Sequence, residues 1–318
     1  MLQQNERSRV LVLGMGGTIA GRAQQAGDNL GYTAGQVPVR EMLAGLPIAA
    51  GLTLSVEQVA QIDSRDLRVA ELQRLVARVA DALRSPEVDA VVVTHGTDTL
   101  EESAYLLQTL LAPQKPVVFT CAMRPATAIS PDGPQNLSDA IAVARTEGAR
   151  GVVLVCAGRV HSALDVAKVH PYRTDPFDSG DAGPLAVVEE GVLRRFRPWP
   201  EAAWHTDLVQ RFVSAAALPR VAWLSSHAGA EAWPVDAWLA LPPAQRPRGI
   251  VVAGTGNGSV HADLLQALRQ AEAAGVRVAL AARCGAGVLP HDTQPFAALD
   301  GLSPAKARWA LVLDLLGS

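Results

Sequence analysis

An α/β fold is predicted: a larger N-terminal domain with a mostly parallel sheet and helices on both faces, plus a smaller C-terminal α/β domain. Three features of the sequence predict it. Short β-branched apolar runs alternate with longer stretches of helical periodicity. Between residues 194 and 219 that texture breaks into three prolines and scattered aromatics. Beyond the break, a second strand–helix series begins. A chain of 318 residues suits roughly two domains. An apolar content of 49% is enough for a sizeable core.

Apolar runs over 10–13 and 52–56 read as strands, and 69–83 reads as a helix. A β-branched run opens at Val91 and passes through Gly96 into an amphipathic helix whose apolar residues include Leu100, Tyr105, Leu106 and Leu107. Thr99 lies three residues before Glu102, and Asp98 three before Glu101, so either could begin a capping box. A strand over 116–120, a loop rich in Pro, Ser and Asp, a helix over 136–146 and a strand over 151–156 follow. Such repeats imply parallel strands joined by crossover helices. The weakly periodic stretch suits a linker over 196–218, between domains at 1–195 and 219–318. The second domain reads as strands over 220–224, 249–253 and 276–281, with a helix over 260–273. A last helix over 303–316 has Ser303 at its N-cap and Pro304 at its first position.

A formal net charge of −3 gives no electrostatic case for nucleic acid or an anionic membrane as partner. No apolar segment approaches the roughly 18 residues of a membrane span. The apolar run near the N-terminus is too short for a secretory signal. Cys121, Cys156 and Cys284 have no paired spacing and read as free thiols in a reducing compartment, so a cytoplasmic protein is expected. Cys121 has no histidine at a dyad spacing and reads as a small buried side chain. His161 and His170 lack metal-ligand spacing and read as structural or surface residues; no metal is expected. Trp199, Trp204, Trp223, Trp233, Trp238 and Trp309 do not alternate with basic residues, so packing in the core or between domains is expected of them.

Two turns carry the chemistry. The first is Gly14-Met15-Gly16-Gly17-Thr18-Ile19-Ala20-Gly21. A dinucleotide fingerprint from Gly14 would need glycine where Ile19 stands. A phosphate loop from Gly16 would need Lys and then Ser or Thr where Arg22 and Ala23 stand. What remains is a hydroxyl, Thr18, on a glycine turn that lets a ligand approach the backbone. It reads either as a nucleophile, given a nearby base, or as an incidental threonine in a tight turn. The second turn, His95-Gly96-Thr97-Asp98-Thr99, sets two hydroxyls and a carboxylate at a strand's carboxyl end and a helix's positive end. Open α/β sheets bind ligands there. His95 reads as orienting the loop rather than reacting.

Together, Gly16-Gly17-Thr18-Ile19-Ala20-Gly21 and Thr94-His95-Gly96-Thr97-Asp98-Thr99 closely resemble the two signature motifs of bacterial-type L-asparaginases and glutaminase-asparaginases. The resemblance continues through Asp165-Val166-Ala167-Lys168 and Gly254-Thr255-Gly256-Asn257-Gly258. It implies hydrolysis of the side-chain amide of a free amino acid, without metal or cofactor. It also implies a homotetramer of intimate dimers, in which each C-terminal domain closes the neighbour's site. By the same resemblance, Thr18 is the primary nucleophile and Tyr32, on a mobile loop, hydrogen-bonds it. Thr97, Asp98 and Lys168 form a second constellation. Gly17, Ser64, Arg65, Thr97, Asp98, Ala122 and Asn257 bind substrate: Asp98 takes the α-ammonium, Ser64 the α-carboxylate, Ala122 the amide nitrogen through its carbonyl, and Asn257 serves the partner's site. Arg65 stands where the family often has glutamine. It could bind the carboxylate bidentately, turn to solvent, or pair with Asp63 or Asp66. Asp263 stands where secreted members have a serine.

Amide hydrolysis needs a nucleophile, a proton route and donors for the developing oxyanion. A threonine hydroxyl must lose its proton as it attacks. Partial desolvation beside Thr97 would favour Lys168 as a proton acceptor, and Asp98 would favour its ammonium form. The expected reaction is L-asparagine to L-aspartate and ammonia. The alternatives are a broader glutaminase-asparaginase, an ammonia-releasing subunit of a tRNA amidotransferase, and a non-catalytic amino-acid sensor. No appended domain or basic patch favours the second alternative. A sensor would need neither the nucleophile nor the lysine.

Overall fold

The structure, a computed structural model, describes residues 3–5, 8–47, 49–201, 205–289, 295–299 and 301–318. The chain divides into two compact units, Met1–Val209 and Gln210–Ser318.

The first unit opens with β1 (Ser8–Gly16), a 3-10 turn at Thr18–Ala20, the short strands β2 (Arg22–Ala23) and β3 (Tyr32–Thr33), and α1 (Val39–Leu43). Next come β4 (Leu52–Ile62), a second 3-10 turn at Ser64–Asp66, and α2 (Val69–Arg84). The series continues with β5 (Ala90–Thr94), α3 (Leu100–Leu111), β6 (Pro116–Thr120), α4 (Gly133–Ala144) and β7 (Gly151–Cys156). Short strands finish it: β8 (Arg159–Ser162), β9 (Ala167–Lys168), β10 (Phe177–Asp178), β11 (Ala186–Glu189) and β12 (Val192–Arg195).

One sheet runs in the order β12-β11-β8-β7-β6-β5-β1-β4. From β4 to β7 neighbouring strands are parallel, while β8, β11 and β12 add on antiparallel. Every residue of β5, β6 and β7 is buried, the pattern of strands covered on both faces. Val10, Val12, Val92, Val118 and Val153 join Leu137 and Ile141 of α4 in one core cluster. The chain runs from β1 to β4 on one side, then crosses back to β5 on the other. The switch point of the sheet therefore lies between β1 and β5, where α/β sheets open a crevice at the strands' carboxyl ends.

The second unit contains β13 (Val221–Ser225), α6 (Trp233–Leu239), β14 (Gly249–Gly254), α7 (Ala262–Ala273), β15 (Arg277–Ala282), β16 (Ala297–Ala298) and α8 (Pro304–Gly317). Its sheet, β13-β14-β15-β16, is parallel throughout. Ser303 caps α8 by accepting from the Lys306 N–H at 3.4 Å, with Pro304 following it.

Three expectations change. The weakly periodic linker contains a helix, α5 (Thr206–Ser214), whose polar and apolar residues alternate faces too briefly to stand out. Thr99 is the N-cap residue of α3, but its side chain makes no cap hydrogen bond, because its hydroxyl donates to the Ser64 carbonyl at 2.9 Å. Trp199 is buried and Trp309 meets Phe212 edge-on, whereas Trp223 and Trp233 are exposed; Trp204 lies outside the described residues. The three cysteines are free, as the sequence suggests: Cys121 is buried just after β6, Cys156 is buried at the end of the adjacent strand β7, and Cys284 is exposed. Among the described residues, no helix is long and apolar enough to cross a membrane.

Candidate active site

At the carboxyl end of β1 the backbone turns through Gly16 and Gly17, with φ of 94° and 81°. Glycine is required here twice over. Both angles lie in the region side chains avoid, and a Cβ on Gly17 would sit 2.3 Å from the Cα of Gly96. A Cβ on Gly96 would sit 2.6 Å from the Ser64 Oγ. The turns that follow β1 and β5 thus touch backbone to backbone, with the Ser64 side chain of the turn after β4 packed on Gly96, and Thr18 and Thr97 each follow one of the touching glycines. Ile19 and Ala20 anchor the first turn in a small apolar cluster with Val37 and Ala122.

Thr18 is buried, and its Oγ1 lies 2.6 Å from the Tyr32 phenolic oxygen. Tyr32 is held by strand pairing with Ala23, and its ring covers Gly21, where a Cβ would meet ring carbon Cδ2 at 2.8 Å. The first half of the intervening loop is pinned to Thr127. The Ala23 N–H donates to Thr127 Oγ1 at 2.9 Å and the Gly27 N–H to the Thr127 carbonyl at 3.1 Å. Near the tyrosine, Asp28 accepts from the Gly31 and Leu30 amides, which hold its carboxyl below the usual range.

The β5 turn is fixed from within. His95 is buried, and its Nδ1–H must donate to the Gly96 carbonyl at 2.7 Å. Its Nε2 therefore accepts from the Ser103 hydroxyl at 3.0 Å. Burial lowers its pKa to about 4, against a smaller opposing effect of the Gly96 carbonyl, so the ring is neutral. Beyond it, Lys168 Nζ donates to Thr97 Oγ1 at 2.8 Å and to Asp98 Oδ1 at 2.6 Å. The lysine side chain is 18% exposed and that of Asp98 is 53% exposed. A buried hydroxyl, a shielded ammonium and a solvent-facing carboxylate thus share one cluster, next to the Thr18–Tyr32 pair. Such a set can present a nucleophile, relay protons and bind a cation.

Residues 9–200 match the family described as "Asparaginase, N-terminal", and residues 220–316 match the "Glutaminase/Asparaginase C-terminal domain". The chain belongs to the asparaginase family. It is 36% identical over 319 residues to a glutaminase-asparaginase of Pseudomonas aeruginosa, covering 96% of this chain and 85% of that protein. L-asparaginase 2 of Bacillus subtilis is 32% identical over 320 residues, covering 98% and 84%. Among solved structures, a probable cytoplasmic L-asparaginase from Campylobacter jejuni is 33% identical with a TM-score of 0.88, covering 98% of this chain and 96% of that one.

The other residues marked by the asparaginase resemblance fall as follows. Ser64 is buried, and its Oγ accepts from the Asp98 N–H at 3.2 Å, which leaves the hydroxyl proton to donate. Arg65 takes the arrangement that pairs it with acids: its exposed guanidinium lies 3.3 Å from Asp63 and 3.7 Å from Asp66. Ala122 is buried just past β6, where Asn136 Nδ2 donates to the Cys121 carbonyl at 3.0 Å and the Met123 and Arg124 amides donate to Asp132. In the second unit, Asn257 is exposed in the turn between β14 and α7, and Asp263 is exposed in the first turn of α7. His161 is buried with Nδ1 2.9 Å from Ser179 Oγ, and His170 Nδ1 accepts from the Tyr172 and Arg173 amides at 3.0 Å. Cys121 is buried; its hydrogen bond with Cys156, together with burial, raises its thiol well above the usual range, so it is not a ready thiolate.

Sequence reasoning missed one contact of the cluster. The Lys168 backbone N–H donates to Glu101 Oε2 at 2.5 Å. Glu101 reads in the sequence only as a capping candidate, and a partner 67 residues away leaves no local pattern.

Proposed function

We propose that this protein hydrolyses L-asparagine to L-aspartate and ammonia through an acyl-enzyme on Thr18, without a cofactor. The observation that carries the reading is the meeting of two hydroxyl systems across the Gly17–Gly96 contact, Thr18 with Tyr32 and Thr97 with Lys168 and Asp98. In the first half-reaction Thr18 Oγ1 attacks the side-chain carbonyl carbon. Its proton passes along the Tyr32 phenol, whose oxygen both accepts and donates. The C–N bond breaks, the proton leaves on the nitrogen as ammonia, and an aspartyl ester of Thr18 remains. Water then attacks the ester, gives its proton back to Thr18 Oγ1, and releases aspartate. Lys168, donating to the oxygen of Thr97, biases that hydroxyl to give its own proton toward the reacting oxygen.

Recognition follows from the two fixed charges of a free amino acid. Asp98 suits the α-ammonium, and Ser64, with a proton to donate, suits the α-carboxylate. Glutamine is the second substrate of this reading, because relatives such as that of Pseudomonas aeruginosa carry the name glutaminase-asparaginase. One methylene in an apolar pocket is worth only about 1–3 kcal/mol. The reading extends to a cytoplasmic homotetramer of intimate dimers, in which Asn257 serves the neighbouring subunit's site.

The test is ammonia release from asparagine and glutamine by purified wild-type, Thr18→Ala and Thr97→Val proteins. The reading expects asparagine turnover by the wild type, and a loss of about 10³-fold or more in each variant. A sensor would bind asparagine and release nothing. A tRNA-linked enzyme would stay inert until its RNA was supplied.

A further inference from the structure

Lys168 lies on β9, which among the described residues pairs only with β10, in a two-stranded ribbon outside the main sheet. Nothing in the sheet ladder therefore fixes the lysine against the β5 turn. Within the ribbon, the Val169 N–H crosses to the Pro176 carbonyl at 2.8 Å. The Lys168 N–H points out of that ladder and takes the Glu101 carboxylate as its acceptor at 2.5 Å. Glu101 itself is 9% exposed, in the first turn of α3, three residues beyond Asp98. The lysine is thus tied at both ends to one strand-to-helix turn, its amine to Thr97 and Asp98 and its backbone to Glu101.

We propose that Glu101 is a positioning residue: its carboxylate oxygen fixes the Lys168 backbone so that the amine reaches Thr97 and Asp98. The inference rests on the hydrolase reading for its effect on turnover, and on geometry alone for its effect on the lysine. The Glu101 oxygen satisfies a backbone donor that the ribbon ladder does not use. That donor would otherwise lack a partner at a partly buried position. The carboxylate is needed as an acceptor rather than as a charge, so a side chain of equal length with an amide oxygen should substitute for it.

Two measurements on Glu101→Ala and Glu101→Gln test this. In steady-state ammonia release, Glu101→Ala should lose about 10- to 100-fold in kcat with KM within about threefold, as a small displacement of a proton-handling group does. Glu101→Gln should recover most of that loss. The double variant Glu101→Ala/Lys168→Ala should be no slower than Lys168→Ala alone. Independently of turnover, amide hydrogen exchange at Lys168 should accelerate at least about tenfold in Glu101→Ala and little in Glu101→Gln, with β5 and β6 unchanged. If Glu101→Ala keeps wild-type kcat, if Glu101→Gln falls as far as Glu101→Ala, or if Lys168 exchange does not respond, the positioning role is wrong. Should the wild type release no ammonia at all, the hydrolase reading fails while the exchange measurement still decides whether Glu101 holds the lysine. A Glu101→Ala protein that does not fold leaves the decision to the Glu101→Gln pair of readouts, where a large kcat loss with unchanged Lys168 exchange overturns the proposal.

Discussion

Two hydrogen bonds set the character of the cluster at the level of single residues: one joins the hydroxyls of Thr18 and Tyr32, and the other runs from the Lys168 amine to Thr97. Removing the Tyr32 hydroxyl leaves Thr18 without its short contact, so Tyr32→Phe should lower kcat about 10²-fold, with a smaller change in KM, in a steady-state assay. His95 makes a different kind of contribution. Its pKa is about 4 in the folded chain, against roughly 6.5 when unfolded. Above about pH 6.5 the ring is neutral in both states and its share of stability is complete. As pH falls toward 4 the unfolded state binds the proton first, and that share is lost. Urea unfolding at pH 7 and pH 4.5 should show a loss of roughly 2–3 kcal/mol that His95→Gln lacks. Equal pH dependence in the two proteins would mean that the buried ring is not kept neutral.

Among the elements, the contact between the β1 and β5 turns organises the rest. A Cβ on Gly17 meets backbone, which cannot swing aside, and φ is positive there. Gly17→Ala should therefore cost roughly 2–4 kcal/mol in stability, and it should separate Thr18 from the β5 turn. A thermal scan and an activity assay on the variant check both; wild-type values would show that the turns do not need to touch. This is also where the sequence was most legible. Strands over 116–120 and 151–156 match β6 and β7 end for end, because each is a short continuous apolar run whose ends are marked by the turn residues that flank it. The two glycine turns stood out because glycine beside a hydroxyl after a strand is a local pattern. The antiparallel extension did not: β8 and β12 are four residues each and carry arginines that suit an exposed strand as well as a loop. Contacts such as Glu101 to Lys168, and Thr99 turned to Ser64 instead of its own helix end, join residues far apart in sequence and leave no periodic trace.

At the scale of the whole molecule, the match to the asparaginase family spans both units. If Asn257 of one subunit serves the partner's site, Thr18→Ala and Asn257→Ala proteins should complement each other. Random re-pairing makes half the dimers mixed, and each mixed dimer holds one site with both residues intact. Mixing equal amounts after reversible dissociation should restore up to about a quarter of wild-type activity, by the closed geometry of a two-fold pair. No recovery, in a mixture shown by sedimentation to have exchanged subunits, would mean that each site is built from one chain.

The covalent step is the centre of the account, and peptide mass spectrometry of acid-quenched protein tests it most directly. Wild-type and Thr97→Val proteins mixed with excess asparagine should yield the Thr18 peptide carrying one aspartyl group, lost on treatment with hydroxylamine and missing in Thr18→Ala. Turnover of asparagine with that peptide never modified, or with the aspartyl group on another residue, would contradict Thr18 as the nucleophile.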